Sequence, residues 1–271
     1  MPAFQEFGIA FLWGTTWNPV TEEFGALPTI FGTLVSALIA LLIAVPISQG
    51  AAIFLAEMAP PWLRTPVSYL IETLAAIPSV IFGLWALFIM VPVIRDPIEL
   101  FLGEHFGWIP LFNGPPFGVG LLSAGIILAI MILPIVTSVS RDILLAVPNS
   151  QREAMLALGA TKWEVISRGV IPYARSGLIG ATILGLGRAL GETMAVTMVI
   201  GNSFKISESV FDPAHTIASA IASQFPEAAQ GVFVASLVYL ALILFVISLL
   251  INIAARVLVG KLVSIPGRVR E

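Results

Sequence analysis

Long runs without a charged residue constrain this chain more than any other feature of its sequence. Four runs of 22 to 35 residues, at 24–56, 73–94, 106–140 and 228–255, contain no Asp, Glu, Lys or Arg. A fifth run, 176–204, is interrupted only by Arg188 and Glu192. About 20 apolar residues cross a bilayer as a helix, whereas a membrane β-barrel shows alternating segments of about 10 residues. The sequence therefore predicts an all-α, polytopic membrane protein with five transmembrane helices.

The composition excludes several other classes of protein. Only 11% of the residues are charged and 58% are hydrophobic, which is the opposite of an intrinsically disordered chain. The formal net charge of -3 argues against binding to nucleic acid. The chain has no cysteine, so it has no disulfide framework and no thiolate nucleophile. With only two histidines, we also expect no metal site and no catalytic site.

The distribution of Lys and Arg predicts the orientation in the membrane, because cytoplasmic loops carry an excess of these residues. Ten of the 13 basic residues fall on one side of the five spans, in the loop around residue 64, in the loop 141–175 and in the C-terminal tail. We therefore expect an extracytoplasmic segment at 1–28, a transmembrane domain at 29–260 with a cytoplasmic loop at 141–175, and a cytoplasmic tail at 261–271. This is the topology of a multi-pass protein of a bacterial cytoplasmic membrane.

The extracytoplasmic N-terminus needs an explanation, because residues 1–28 contain no Lys or Arg and no signal peptide. Two explanations stay open. The first span inserts unaided, led by the charge bias, or the natural protein has an upstream helix that this chain lacks. We favour the upstream helix.

The loop 141–175 is too long for a simple connection and carries helix signals. Ser150 with Glu153, and Thr161 with Glu164, have the spacing of a capping box, in which two side chains satisfy the first amides of a helix. Gly159 suits the left-handed position that follows a helix, and Pro172 is expected to close the second one. We predict two short helices, at 151–158 and 162–168, either as a self-contained interfacial loop or as a docking element for a cytosolic partner.

The same loop resembles the EAA motif of the binding-protein-dependent ABC importer permeases. That motif reads E-A-A, three residues, G, nine residues and I-x-L-P. The chain matches it at Glu153, Ala154, Gly159 and Pro172, and it departs from it at Met155, Gly169 and Ile171. The resemblance implies that these four matching residues belong to a coupling loop that docks on an ATPase subunit.

Three further blocks resemble the C-type permease subunits of phosphate importers within that family. They read WNP at 17–19, IPSVIFGLW at 77–85 and GRALGETMAV at 187–196. The resemblance implies the type I ABC importer permease fold, with an A-type permease, two ATPase subunits and an extracytoplasmic phosphate-binding protein as partners. Subunits of this type have six helices, so the resemblance also implies that the first one is missing from this chain. The resemblance further implies that the chain itself binds no cofactor and that the ATPase subunits use ATP with Mg²⁺.

Arg188 and Glu192 are the charged residues that the fourth span must carry into the membrane. They are four residues apart, so on a continuous helix at 177–201 they share one face, with Arg188 near the midpoint. An arginine at this depth costs about 2.5–3.5 kcal/mol on insertion scales. Two interpretations stay open: a self-neutralising pair that joins helices, or a translocation pathway in which Arg188 meets a phosphate oxyanion and Glu192 holds the guanidinium between passages.

Two other functions remain as alternatives to a phosphate importer. The nearest is a permease for another oxyanion, such as sulfate or molybdate, which would use the same coupling loop. A self-sufficient channel or secondary transporter is less favoured, because it needs no docking loop and often shows internal repeats. The chain has no G-x-x-x-x-G-K-[ST] loop, so we expect a transport subunit that does not hydrolyse ATP.

Overall fold

The computed structural model describes residues 6–228 and 231–263, without the side chains of 258, 259 and 261–263. A small antiparallel hairpin, β1 (Trp17–Asn18) and β2 (Glu23–Phe24), precedes the helices. The helices of the described part are α1 (Leu27–Met58), α2 (Pro61–Ala75), α3 (Ser79–Phe106), α4 (Leu121–Leu145), α5 (Asn149–Ala157), α6 (Lys162–Gly191), α7 (Met194–Val199), α8 (Ile217–Gln224) and α9 (Val232–Val263).

Five helices of this described part, α1, α3, α4, α6 and α9, are long and apolar enough to cross a membrane. This confirms the number of spans predicted from the charge-free runs. The second span begins later than predicted, at Ser79 instead of residue 73. The reason is Pro78, which has no backbone N–H and keeps the residue before it out of the helical region. Helix α2 therefore ends at Ala75, and a separate helix begins after the proline.

The chain divides into two compact units. One unit contains Ile77–Met131, Arg188–Leu249 and the described residues before Ile43. Its core is rich in aromatic rings from the β-hairpin, the segment after α7 and the start of α9. The ring of Trp17 stacks on that of Phe204 at 5.0 Å between centroids, and Phe24 stacks on Phe233 at 5.4 Å. These contacts fix the segments around α8 and α9 against the N-terminal residues.

The other unit contains Ile43–Ala76, Ile132–Gly187 and the described residues from Leu250 onwards. Its core is aliphatic, with Ala52 and Ala56 from α1 against Leu144 from α4 and Val165 from α6. Two glycines of α6 allow the close packing of α4. A Cβ atom on Gly177 or Gly185 would lie 2.6 Å from a methyl group of Ile143 or Val136, respectively. This unit carries the loop that resembles the EAA motif.

A buried histidine joins two distant segments of the first unit. His215 is 1% exposed, its Nδ1 lies 2.9 Å from Ser219 Oγ, and its ring lies 4.3 Å from that of Phe204. Its carbonyl group packs on Gly32 so closely that a Cβ atom there would lie 2.1 Å from the oxygen. Burial lowers the pKa of His215 from 6.5 to about 4, because the charged imidazolium loses its hydration.

The depressed pKa of His215 predicts a loss of stability in acid. The ring stays neutral in the folded state, whereas the unfolded state binds a proton below pH 6.5. The free energy of unfolding is therefore at its full value above pH 6.5 and falls as the pH is lowered towards 4. Over that window we expect the free energy of unfolding to fall by up to about 3 kcal/mol. Thermal unfolding in detergent between pH 7.5 and 4 measures it. His215→Gln should remove this part of the pH dependence, whereas His105→Gln, at an exposed histidine, should leave it. An unchanged slope in His215→Gln would contradict the assignment.

Candidate functional site

The chain leaves the helical conformation just before the second span and just after the fourth span, and the helices that follow these two breaks pack together. The first interruption separates α2 from α3 at residues 76–78, and the second separates α6 from α7 at Glu192 and Thr193. Helix α7 packs on the first turns of α3, where a Cβ atom on Gly83 would lie 2.6 Å from Met198 Sδ and 3.0 Å from Ala195 Cα. Irregular backbone at membrane depth is tolerated where it is buried in protein or lines a water-filled cavity, and transporters bind solutes at such breaks.

Arg188 lies in the last turn of α6, three residues before the helix ends at Gly191. The predicted position at the midpoint of a continuous helix at 177–201 is therefore wrong. The chain leaves the helical conformation at Glu192 and Thr193 and begins α7 at Met194. Near a helix C-terminus, a cation interacts favourably with the helix dipole. Arg188 is exposed on this chain, and no ion pair to its guanidinium group is found among the described residues.

Glu192 does not pair with Arg188 in this structure, contrary to the predicted contact. Because α6 ends between them, the spacing of four no longer places the two side chains on one helical face. Glu192 Oε1 instead accepts a hydrogen bond of 3.4 Å from the backbone N–H of Ala195, in the first turn of α7. Its side chain is half-buried, so the carboxylate contacts the start of the helix after the break.

The predicted loop helix 151–158 is present as α5, Asn149–Ala157, but it begins differently from the prediction. Pro148 is the N-cap and gives no side-chain hydrogen bond, so Ser150 and Glu153 do not form a capping box. The extended φ and ψ of Pro148, -58° and 140°, start the helix directly after it. Glu153 and Ala154 are both exposed on this helix. Gly159 follows the end of the helix with φ +81°, which confirms the predicted left-handed position.

The second capping box is confirmed, because Thr161 and Glu164 exchange both of its hydrogen bonds. The helix that it starts does not end at residue 168, however, and Pro172 does not close it. A π-helical turn at Val165–Val170 joins directly to Ile171–Gly191, so α6 is continuous from Lys162. The wider turn relieves the clash that a proline ring makes with the preceding turn of an α-helix. Pro172 is exposed inside a longer helix.

Arg152 holds the loop to two spans, and sequence reasoning missed it. Its guanidinium binds both carboxylate oxygens of Glu57, at 2.6 and 3.3 Å, near the end of α1. It also donates to the carbonyl oxygens of Leu144, at 3.0 Å, and Val147, at 2.5 Å, at the end of α4. We call the pair Arg152 and Glu57, with these two carbonyl groups, the loop clasp. The sequence marks each residue separately, because Arg152 directly precedes Glu153 of the motif and Glu57 is the first charge after the charge-free run 24–56.

The loop also presents large apolar side chains to its surroundings. Leu156 is 55% exposed, Leu158 is 84% exposed and Trp163 is 61% exposed. Met155 lies on the other side, where it packs against the core of the second unit and close to Gly169. Exposed apolar groups clustered on a polar loop are typical of a surface that binds another protein.

A family model described as "Binding-protein-dependent transport system inner membrane component" matches residues 48–263, which is most of the chain. The chain belongs to this family. As an inner membrane transport component it is a multi-pass membrane protein, as the five spans predict. Similar members of the family carry more specific names.

Relatives of this chain include proteins named phosphate transport system permease protein PstC. The protein from Pasteurella multocida is 51% identical over 270 residues, which are 98% of this chain and 84% of the relative. That from Haemophilus influenzae is 50% identical over 97% of this chain and 85% of its own. A probable PstC from Methanocaldococcus jannaschii is 42% identical over 93% of this chain and 82% of its own.

Solved structures confirm the ABC importer permease fold that was predicted for this chain. A chain of the MetNI methionine ABC transporter, in an inward-facing conformation, superimposes with a TM-score of 0.61 at 19% identity, over 88% of this chain and 94% of that one. A chain of an amino acid ABC transporter superimposes with a TM-score of 0.55 at 21% identity, over 86% of this chain and 92% of that one. At these identities the likeness concerns the fold alone.

Proposed function

We propose that this chain is the membrane-spanning permease subunit of an ATP-driven phosphate importer and forms half of its translocation pathway. The observation that carries the proposal is the 51% identity to a phosphate transport permease over 98% of the chain. The partners would be an A-type permease, a pair of ATPase subunits and an extracytoplasmic phosphate-binding protein. The loop 141–175 and the C-terminus would lie in the cytoplasm, as the distribution of basic residues predicts.

The pathway would pass the break between α6 and α7, where Arg188 is exposed. A guanidinium group stays charged at every working pH and presents a planar fork of donors that fits two phosphate oxygens. Its position at a helix end, without an ion pair among the described residues, leaves its donors available to a passing anion. Glu192, near the start of α7, would limit how tightly phosphate is held, because its charge repels the anion.

Coupling to ATP would use the loop that resembles the EAA motif. Glu153, Ala154 and Gly159 would contact the ATPase together with the exposed apolar side chains of the loop. Pro172 lies inside α6, which begins at Lys162. Closure of the ATPase pair would push on residues 151–168, and the loop clasp would transmit the force to the ends of α1 and α4. ATP and Mg²⁺ would bind to the ATPase subunits, and this chain would hold no cofactor.

Uptake by the reconstituted complex tests the proposal. The chain is assembled with its A-type permease and ATPase in proteoliposomes, with the binding protein outside and ATP inside, and labelled phosphate, sulfate and molybdate are compared. We expect ATP-dependent accumulation of phosphate that excess sulfate or molybdate does not reduce. Accumulation of sulfate or molybdate in place of phosphate would favour the alternative oxyanion permease. Downhill flux that continues without ATP would favour a channel or secondary transporter.

A further inference from the structure

A groove of about 330 Å³ lies between α6 and α9 within the second unit. Among the described residues, its lining comes from both helices and includes no acidic side chain: Ser176, Gly180, Ile183, Leu184, Asn252 and Arg256. On α6 they follow the spacing i, i+4, i+7 and i+8, and on α9 they are four apart, so each set occupies one helical face. The groove is therefore formed by facing surfaces of two membrane spans.

The polarity of the groove changes along the two helices. Arg256 lies one residue before the end of the apolar part of α9, Val257, and Ser176 lies nearer the start of α6 than the apolar pair Ile183 and Leu184. Consecutive spans cross a membrane in opposite directions, so the end of α9 and the start of α6 lie towards the same membrane surface. The polar end of the groove thus faces the headgroup region, and Leu184, about 12 Å further along the helix than Ser176, lies in the hydrocarbon.

The polar end of the groove carries positive charge that the described part of the chain does not neutralise. Arg256 is exposed, and no ion pair or hydrogen bond of its guanidinium occurs among the described residues. Arg175, directly before Ser176, has no ion pair there either. Basic pockets between membrane helices on the cytoplasmic side attract anionic lipid headgroups. The charge of the groove is complementary to a phosphate group.

We infer that this groove binds an anionic phospholipid, with the headgroup phosphate at Arg256 and Ser176 and an acyl chain along Ile183 and Leu184. Free inorganic phosphate would engage the same arginine but would leave the two apolar side chains uncovered, whereas an acyl chain removes them from water. The inference depends on the membrane-spanning fold and not on the solute that the complex transports.

Native mass spectrometry of the delipidated complex, titrated with phosphatidylglycerol or phosphatidylcholine, tests the inference. We expect retention of phosphatidylglycerol over phosphatidylcholine and a loss of about tenfold in that affinity in Arg256→Gln, since a charge-assisted hydrogen bond is removed. Arg168→Gln, at an exposed arginine outside the groove, should leave the affinity unchanged. Equal binding of the two lipids, or an unaffected Arg256→Gln complex, would overturn the inference.

A second variant fills the groove without a change of charge. A Cβ atom on Gly180 meets no atom within 4 Å and Gly180 lines the groove, so we expect Gly180→Leu to keep the fold and to place its side chain in the groove. We expect the same loss of phosphatidylglycerol in this variant. Displacement of the lipid by millimolar inorganic phosphate would assign the groove to the free anion and would overturn the lipid assignment.

Discussion

The Arg188→Gln complex should lose phosphate uptake, to less than about a tenth of the wild-type rate. Glutamine keeps much of the size and polarity of the side chain but removes the charge and the bidentate fork. Hydrogen bonds to a charged group contribute about 1.5–3 kcal/mol each, so the loss of one or two corresponds to at least about tenfold. Arg188→Lys keeps the charge without the planar fork, so its uptake rate should lie between those of the wild type and Arg188→Gln. Initial rates of labelled phosphate uptake into proteoliposomes measure the effect.

The matched control for this experiment is Arg95→Gln. Arg95 also lies in a helix long enough to span the membrane, but it is paired with its neighbour Asp96 at 2.8 Å. Uptake by the control should stay within about twofold of wild type, as expected for an exposed pair of small energy. Normal uptake by an assembled Arg188→Gln complex would remove Arg188 from the pathway. Equal loss in both variants would show an effect of charge in the membrane instead of a site.

Arg152→Met should both destabilise the complex and uncouple ATP hydrolysis from phosphate transport. The substitution leaves the Glu57 carboxylate, whose side chain is 10% exposed, without its partner. Breaking a buried ion pair on one side costs about 3–5 kcal/mol. The same change frees α5 from the ends of α1 and α4, so motion of the loop no longer moves these helices. We expect a lower melting temperature and more ATP hydrolysed per phosphate imported.

Two further variants separate the charge from the mechanical effect. Arg152→Met with Glu57→Leu removes both charges, so much of the stability should return while the ratio of ATP to phosphate stays high. Arg95→Met breaks an exposed pair and should change the melting temperature little. If Arg152→Met keeps the wild-type ratio of ATP to phosphate, the clasp has a structural role only. If the double variant stays as unstable as the single one, packing and not the unpaired charge explains the loss.

Local patterns were sufficient to predict the spans and much of the coupling loop. Charge-free runs are long enough to identify five membrane helices, and the box at Thr161 depends only on residues that are neighbours in sequence. Gly159 was predictable for the same reason, since a left-handed residue after a helix favours glycine. The coarse function followed from the motif at Glu153 and Ala154.

The missed features depend on contacts between distant residues. The end of α6 at Gly191 places Arg188 in a last turn, and no propensity in GRALGETMAV requires a break there. The packing of α7 on Gly83 stabilises the broken arrangement, and that partner lies in another span. Arg152 and Glu57 are 95 residues apart, so the sequence marks each residue by its position but does not show that the two pair. The π-turn at Val165–Val170 likewise lets α6 continue past Pro172 against the local rule.

The close approach of Gly32 and His215 has a consequence for the order of folding. The backbone N–H of Ile217 donates to Thr33 Oγ1, and the hydroxyl of Tyr239 donates to the carbonyl oxygen of Gly8, so residues 184 and 231 positions apart in sequence meet in one core. Chain segments of this length must be brought together before such contacts can stabilise the fold, so we expect these contacts to form late in folding. During synthesis, the first helix leaves the ribosome long before its partners exist. A chain interrupted before α9 would therefore keep its N-terminal aromatic residues uncovered and open to quality-control proteases.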